Sequence, residues 1–213
     1  MMDLLKELRE RTGAGFLDCK KALEATNNNL EEAIDFLRKK GLAAAAKKQS
    51  RIASEGVVSS YIHQGSRIGV LIEVNCETDF VAKSEIFLQF AKDICLHIVA
   101  SNPSFIYETE VDEAFIEREK NVYTDQLRTA GKPENMIPSI VEGRMKKLFN
   151  EVCLLNQPFL KNGEITVQDL LNELSLKLGE KIVIRRFVKF NLGEGLEKKK
   201  DNFAEEVSKI SQK

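Results

Sequence analysis

The sequence predicts an α+β protein: a three-helix module at the N-terminus, then a core in which a small three-stranded antiparallel sheet packs with helices. Three observations predict this class. Apolar residues recur at helical spacing through residues 1–41. From Glu55 onward, two β-rich runs flank a Gly-Ser turn, the pattern of a hairpin. Further helical stripes follow, and a third β-rich run comes after them.

Three short helices account for residues 1–41. Two glycines in Thr12-Gly-Ala-Gly15 separate the first two, because glycine ends a helix at little cost and permits positive φ. Asp18 is predicted to cap or open the second helix, and Asn29 to cap the third, which Gly41 ends. The apolar faces consist of Leu4, Leu5, Leu8, Cys19, Ala22, Leu23, Leu30, Ala33, Ile34 and Leu37.

Residues 42–54 are predicted to form an exposed helical linker, because they are good helix formers without a bulky apolar stripe. Lys47, Lys48 and Arg51 could contact phosphates from this linker, although a solvated face is the favoured interpretation. Residues 193–213 form a charged tail with little apolar content, expected to be a loose helix or disordered.

The core is predicted to span residues 55–192. Its first two strands lie at 57–62 and 67–75 and are joined across Gln64-Gly-Ser66. A third strand lies at 182–192, and the helices cover one face of the sheet. Those helices are predicted at 84–100, 112–130, 134–155 and 167–178, with Thr166 opening the last and Gly179 closing it.

Charge and hydropathy argue against two classes of partner. The chain of 213 residues has 33 acidic and 32 basic residues, so it lacks the basic excess typical of nucleic-acid or membrane binding. No run of 18 apolar residues predicts a membrane span, and the charged N-terminus resembles neither a signal nor a transit peptide. We therefore expect no direct nucleic-acid partner and no membrane partner.

No sequence motif predicts catalysis, a metal or a cofactor. Cys19, Cys76, Cys95 and Cys153 form no close pair, so free buried thiols in a reducing compartment are expected. No nucleophile motif accompanies either histidine, so only their spatial arrangement could make them catalytic. No phosphate-binding glycine loop is present, and we expect neither bound nucleotide nor another cofactor.

The run EVNCETDFVA at 73–82 passes from a strand into a helix, and it places Asp79 beside the large apolar ring of Phe80. An exposed ring here would suit insertion into another molecule. An equally good interpretation is local: Thr78 or Asp79 caps the helix and Phe80 packs onto it. A metal cluster of Glu73, Glu77 and Asp79 is a weaker third interpretation, because their spacing does not fit a calcium loop.

The segment GAGFL at 13–17 also has two interpretations. Phe16 could pack inside the small helical core as part of an ordinary interhelical loop. Alternatively, the loop could present Phe16 and Leu17 on the surface as an apolar docking patch. The amino-acid pattern alone does not decide whether Phe16 is packed or exposed.

Five blocks, in this order along the chain, resemble the signatures of bacterial-type translation elongation factor Ts. They are RERTGAGFLDCKKAL at 9–23, EVNCETDFVA at 73–82, IVEGRMKK at 140–147, NQPF at 156–159 and LGEKIVIRRF at 178–187. The resemblance extends to about Leu192, and long matches in order are more specific than any single motif. At this length the chain resembles the short type, which has one core unit.

The resemblance implies a guanine-nucleotide exchange factor for elongation factor Tu, not an enzyme with covalent chemistry. It implies that residues 1–41 form a ubiquitin-associated (UBA-like) fold that docks on Tu through Arg9, Phe16 and Leu17. Phe16-Leu17 replaces a Met-Met pair of some members, and both pairs are apolar. The turn Thr78, Asp79, Phe80 and Val81 is implied to enter the magnesium and phosphate region of Tu.

The resemblance also implies where the chain works and with what. Tu is the expected partner in its GDP-bound and nucleotide-free states, and no cofactor or metal is implied. A homodimer is compatible with the short type. The expected location is the bacterial cytoplasm, or the plastid stroma if the chain is encoded in a plastid.

Two other classes of protein remain open on sequence grounds. A ubiquitin-associated binding module on an unrelated scaffold would explain residues 1–41 alone. A metal-dependent hydrolase using Glu73, Glu77 and Asp79 would require a bound divalent ion. Ubiquitin binding and elemental analysis of the purified chain would distinguish these classes from an exchange factor.

Overall fold

Three helices at the N-terminus enclose a small apolar core of their own. The computed structural model describes residues 2–48 and 50–196, so the predicted tail lies outside the described residues from 197 onward. The helices are α1 (Met2–Thr12), α2 (Phe16–Ala25) and α3 (Leu30–Lys48). The buried residues between them are Leu5, Leu8, Ala14, Cys19, Ala22, Leu23, Ala33 and Leu37, with Leu4, Leu30 and Ile34 packed against them. The predicted apolar faces are therefore confirmed.

The start of α2 differs from the prediction. The helix begins at Phe16, and the backbone of Gly15 precedes it without a side-chain cap. Asp18 lies in the first turn, where the positive end of the helix dipole stabilises its carboxylate. The same carboxylate forms an ion pair with Lys40 of α3. The prediction for Asn29 is confirmed, because its Oδ1 accepts from the amide of Glu32 at 3.3 Å.

The sheet has the predicted three antiparallel strands, in the order β1 (Glu55–Ile62), β2 (Ile68–Cys76) and β5 (Val183–Asn191). Strand β2 is central, and its side chains alternate between a buried face and an open face. Val70, Ile72 and Val74 are buried on the first face. The predicted turn joins β1 to β2, since Ser66 donates from its amide to the carbonyl of His63.

Helices cover one face of this sheet, as predicted, although not all of the predicted helices belong to this layer. A short helix α4 (Asp79–Ala82) follows β2, and α5 (Glu85–Ser101) packs across β1 and β2. The helices predicted at 112–130 and 134–155 differ from this prediction, because α6 (Glu113–Thr129) and α7 (Ile137–Val152) pack mainly against each other around an apolar cluster of their own. A hairpin that the sequence did not predict follows, with β3 (Pro158–Phe159) and β4 (Asn162–Thr166). Helix α8 (Val167–Leu178) comes next, and it ends at Gly179 with φ of 76°.

Helix α3 connects the N-terminal module to the core. The prediction that Gly41 ends this helix is wrong. The helix continues through Gly41 to Lys48, so only part of the predicted linker 42–54 is helical. Gly41 is buried where α3 packs against α8, and a Cβ atom there would lie 3.5 Å from Leu176. An ion pair between Arg38 and Asp169 also joins the two helices. The glycine allows close packing instead of stopping the helix.

His97 is completely buried in α5 and is held in a neutral form. Its Nε2 lies 2.9 Å from Gln157 Oε1, and its Nδ1 accepts from the amide of Leu160 at 3.2 Å. A ring that donates at one nitrogen and accepts at the other carries one proton. Burial lowers the pKa of His97, while the bond to Gln157 opposes that shift.

We predict that protonation of His97 destabilises the fold in mild acid. Because the folded pKa is below the unfolded value of about 6.5, the unfolded state binds more protons there. The free energy of unfolding should therefore fall as pH decreases from about 6.5 through the folded pKa. Urea unfolding at several pH values measures this slope. The slope should shrink in His97→Gln and persist in His63→Gln, whose histidine is exposed. Equal slopes in wild type and His97→Gln would refute the assignment.

Candidate functional site

The loop after β2 holds an aromatic ring in solvent. Thr78 is the N-cap of α4, and its Oγ1 accepts from the amide of Val81 at 3.4 Å. Phe80 lies in the first turn with 83% of its surface exposed, so it does not pack onto the following helix. The local interpretation is therefore right about a cap at Thr78 and wrong about Phe80. We refer to Thr78, Asp79, Phe80 and Val81 as the tip.

Asp79 is also exposed and does not cap the helix. Its Oδ2 accepts from Lys83 Nζ at 2.7 Å, one helical turn away. The hydrogen bond from Lys83 holds the pKa of Asp79 below its ordinary value. The tip therefore presents an ionised carboxylate next to an apolar ring.

Val81 anchors the tip instead of extending it. Only 6% of Val81 is exposed, and Ala82 beside it is also buried. Ser84 Oγ donates to the carbonyl of Val81 at 2.8 Å. The thiol of Cys76 donates to the carbonyl of Thr78, and burial raises its pKa to about 11, so it stays protonated. The tip thus stands on a buried base.

Glu180 contributes to the tip, and sequence reasoning missed it. Its Oε2 accepts from the amides of Glu77 and Thr78 at 3.0 and 3.1 Å, and its Oε1 accepts from Thr78 Oγ1 at 2.6 Å. Glu180 follows the left-handed Gly179, which turns the chain out of α8. Its place in the block at 178–187 was the available signal, but no spacing rule connects it to Thr78.

The three acids of the proposed metal cluster separate onto different cations. Glu73 accepts from Arg185 and Arg186 at 2.7 and 2.6 Å, whereas Asp79 pairs with Lys83. Glu77 pairs with Arg51 at 3.3 Å and also accepts from the backbone amide of Lys181. Within residues 2–48 and 50–196, no three acidic, histidine or cysteine side chains come together as a metal site. The geometry does not support the hydrolase.

The N-terminal module places its predicted docking residues on the surface. Phe16 and Leu17 are 46% and 68% exposed at the start of α2, and Arg9 is exposed on α1. Neither Phe16 nor Leu17 belongs to the buried core of the module. The interpretation in which Phe16 packs inside is therefore wrong. These residues lie on the helical module, whereas the tip lies on the core.

The four cysteines are buried and unpaired, as expected. Burial raises the pKa of the Cys95 and Cys153 thiols to about 11, which makes them unreactive at neutral pH. Across the described part of the chain, no helix combines the length and apolar character needed to cross a bilayer.

Exposed apolar side chains on both the helical module and the core are typical of a protein that binds another protein. The family model for elongation factor Ts matches residues 7–194. Elongation factor Ts of Carboxydothermus hydrogenoformans is 58% identical over 205 residues, covering 96% of this chain and 94% of that protein. Those of Desulforamulus reducens and Alkaliphilus metalliredigens are each 57% identical, over 96% and 97% of this chain and 94% and 95% of their own lengths.

The chain belongs to the elongation factor Ts family, a family of translation elongation factors. The match includes nearly all of the N-terminal module together with the core. A ubiquitin-associated binding module on an unrelated scaffold is therefore excluded, since the N-terminal module and the core both match one family.

Proposed function

We propose that the chain is a guanine-nucleotide exchange factor for elongation factor Tu and has no covalent chemistry of its own. It binds Tu·GDP, disturbs the magnesium and phosphate site of Tu, and promotes the release of GDP so that GTP rebinds. Tu is then its partner in the GDP-bound and nucleotide-free states. The chain works in the bacterial cytoplasm, or in the plastid stroma if it is plastid-encoded.

The observation that carries this proposal is the exposure of Phe80 on an anchored tip. A phenyl ring left in water gains free energy when a partner covers it. Because Val81 and Ala82, the next two residues, are buried in the core, the ring projects from an anchored turn. Phe80 enters between side chains of Tu and shifts the elements that support the metal. The carboxylate of Asp79 hydrogen-bonds the displaced arrangement.

Thermodynamic coupling explains how such binding releases GDP. A protein that binds the nucleotide-free form of Tu more tightly than Tu·GDP must weaken GDP, and GDP must weaken that protein equally. When magnesium leaves, the charge of the phosphates is no longer compensated, so the nucleotide dissociates faster. The tip needs no bound nucleotide or metal of its own for this role.

The size of the effect requires more than the tip. A roughly ten-thousandfold acceleration needs a barrier lowered by about 5.5 kcal/mol. Burial of one aromatic side chain contributes about 2–3 kcal/mol. The remainder comes from other contacts, and Arg9, Phe16 and Leu17 are the candidates on the N-terminal module. Binding energy from this patch is used for the distortion at the metal site.

Release of labelled GDP from purified Tu tests the function. Catalytic amounts of the chain should accelerate the release of GDP in the presence of unlabelled nucleotide. The rate should saturate as the concentration of Tu·GDP rises. Unchanged release over a full range of chain concentrations, with a folded chain and active Tu, would refute the proposed function.

The open face of the sheet supports a homodimer as the second part of this proposal. Leu71 of β2 lies opposite Ser60 of β1 and Val188 of β5 on this face. Leu71 and Val188 are about half exposed, and Phe190 next to them is more exposed still. Contact between two such faces would remove this apolar surface from water. A second copy of the chain is the occupant that agrees with the short type of the family.

We predict that Leu71→Asp converts the dimer to a monomer. A carboxylate in the centre of the face opposes its burial, whereas it is tolerated in the monomer because Leu71 is half exposed there. Sedimentation equilibrium measures the mass, and thermal unfolding checks the fold. Lys189→Asp is the control, because the side chain of Lys189 lies on the opposite side of β5. A wild-type chain that remains monomeric at high micromolar concentration would overturn the dimer.

A further inference from the structure

The loop after α8 and the loop before α4 hold each other by reciprocal bonds. Glu180 accepts from two amides and one hydroxyl of residues 77 and 78, which lie more than a hundred positions earlier. In return, Glu77 Oε1 accepts from the amide of Lys181 at 2.6 Å. Each loop therefore supplies a carboxylate to the backbone of the other.

Arg51 ties a third segment to this arrangement. Its Nη1 lies 3.3 Å from Glu77 Oε1, and its carbonyl accepts from Lys181 Nζ at 2.9 Å. The bond from the Lys181 amide is the main cause that lowers the pKa of Glu77, so this carboxylate stays ionised. Bonds to charged groups are stronger than those between neutral ones. Residues 77 and 78, where the tip begins, are thus held both by the loop after α8 and by Arg51.

Helix α4 does not fix the tip by itself. It has only four residues, and the cap bond from the Val81 amide to Thr78 Oγ1 is long at 3.4 Å. Ile182 and Ile184 nearby belong to the apolar core, whereas Glu180 itself is only partly buried. The bonds of Glu180 therefore serve the orientation of Thr78 more than the packing of the core.

We propose that Glu180 is a positioning residue for nucleotide exchange. It holds Glu77 and Thr78 so that Phe80 meets Tu in one orientation. This inference rests on the proposed function. A tip that is ordered before binding loses less conformational entropy when it enters its partner. Without Glu180, the amides of Glu77 and Thr78 turn to water and the tip samples more orientations. Phe80 then enters Tu productively in a smaller fraction of encounters.

The expected result is a loss of exchange in Glu180→Ala that depends on Phe80. We expect the rate of GDP release at saturating concentration to fall about fivefold in Glu180→Ala. Glu180→Gln keeps one acceptor oxygen and should retain more activity. Glu164→Ala is the matched control, because Glu164 is an exposed acid on β4. Hydrogen exchange of the Glu77 and Thr78 amides should accelerate in Glu180→Ala, while thermal unfolding shows that the fold is kept.

A double-mutant cycle with Phe80→Ala separates this inference from the proposed function. If Glu180 acts through the ring, Glu180→Ala should have little further effect when Phe80 is already alanine. Equal losses in both backgrounds, or no loss in Glu180→Ala, would overturn the positioning role while leaving the function in place. Full activity of Phe80→Ala would instead count against the tip itself. If Glu180→Ala fails to fold, the same cycle with Glu180→Gln decides the question.

Discussion

Phe80→Ala should slow the stimulated release of GDP from elongation factor Tu by roughly 30- to 150-fold at saturating concentration. The ring is almost fully exposed in the free chain, so nearly all of its surface is available for burial in Tu. Its loss removes about 2–3 kcal/mol of apolar burial. If that energy is used only in the distorted complex, the release rate falls while affinity changes less. Stopped-flow measurement of labelled GDP over a range of chain concentrations separates the two quantities.

Two controls make the result specific to the tip. Phe80→Ala should leave thermal unfolding unchanged, because the ring is not part of the buried core. Leu160→Ala removes another exposed apolar side chain, near His97 in the C-terminal half of α5, and should leave exchange intact. Asp79→Ala tests the carboxylate separately. If both Phe80→Ala and Asp79→Ala retain wild-type stimulation at saturation, insertion of the tip is the wrong mechanism.

Phe16→Asp should weaken the affinity for Tu by at least about tenfold. About half of the ring is already covered in the free module, so docking buries the rest for about 1–1.5 kcal/mol. The new carboxylate adds a desolvation cost in the same contact. The change lies outside the buried core of the module, so the helices should still form. Calorimetric titration of nucleotide-free Tu measures the affinity directly.

Phe36→Asp is the matched comparison for the docking patch. Phe36 is also partly exposed in the N-terminal module, but it lies on α3 instead of at the start of α2. It should therefore change affinity much less than Phe16→Asp. Undiminished binding of a folded Phe16→Asp chain would remove Phe16 from the docking surface, without bearing on the role of Phe80.

Much of the fold was predictable because its signals are local. Period-two alternation marks β2, and the capping box of Thr166 with Asp169 marks the start of α8. The end of α3 was not predictable, since Gly41 is a stop signal in isolation and a packing residue against Leu176 in the fold. The β3–β4 hairpin was missed because β3 has only two residues.

The candidate site was predictable in its residues but not in its geometry. The sequence marked Asp79 and Phe80 and left open whether the ring was packed or exposed. In the structure, the neighbouring Val81 and Ala82 are buried in the apolar core, whereas the ring of Phe80 is exposed. Glu180 could not be found from spacing, because its partners at 77 and 78 lie about a hundred positions away. Long-range polar contacts of this kind leave no periodic pattern.

The continuous helix α3, packed against α8, has a consequence for any partner that contacts both units. Helix α3 runs unbroken to Lys48 and is joined to the core through the ion pair of Arg38 with Asp169. The N-terminal module and the core are therefore connected by a packed helix and not by a flexible linker. Once one unit is bound, the other is presented at a high effective concentration to a site at the matching separation. A partner with a different separation gains no such avidity. The helix therefore selects partners by the distance between their two binding sites.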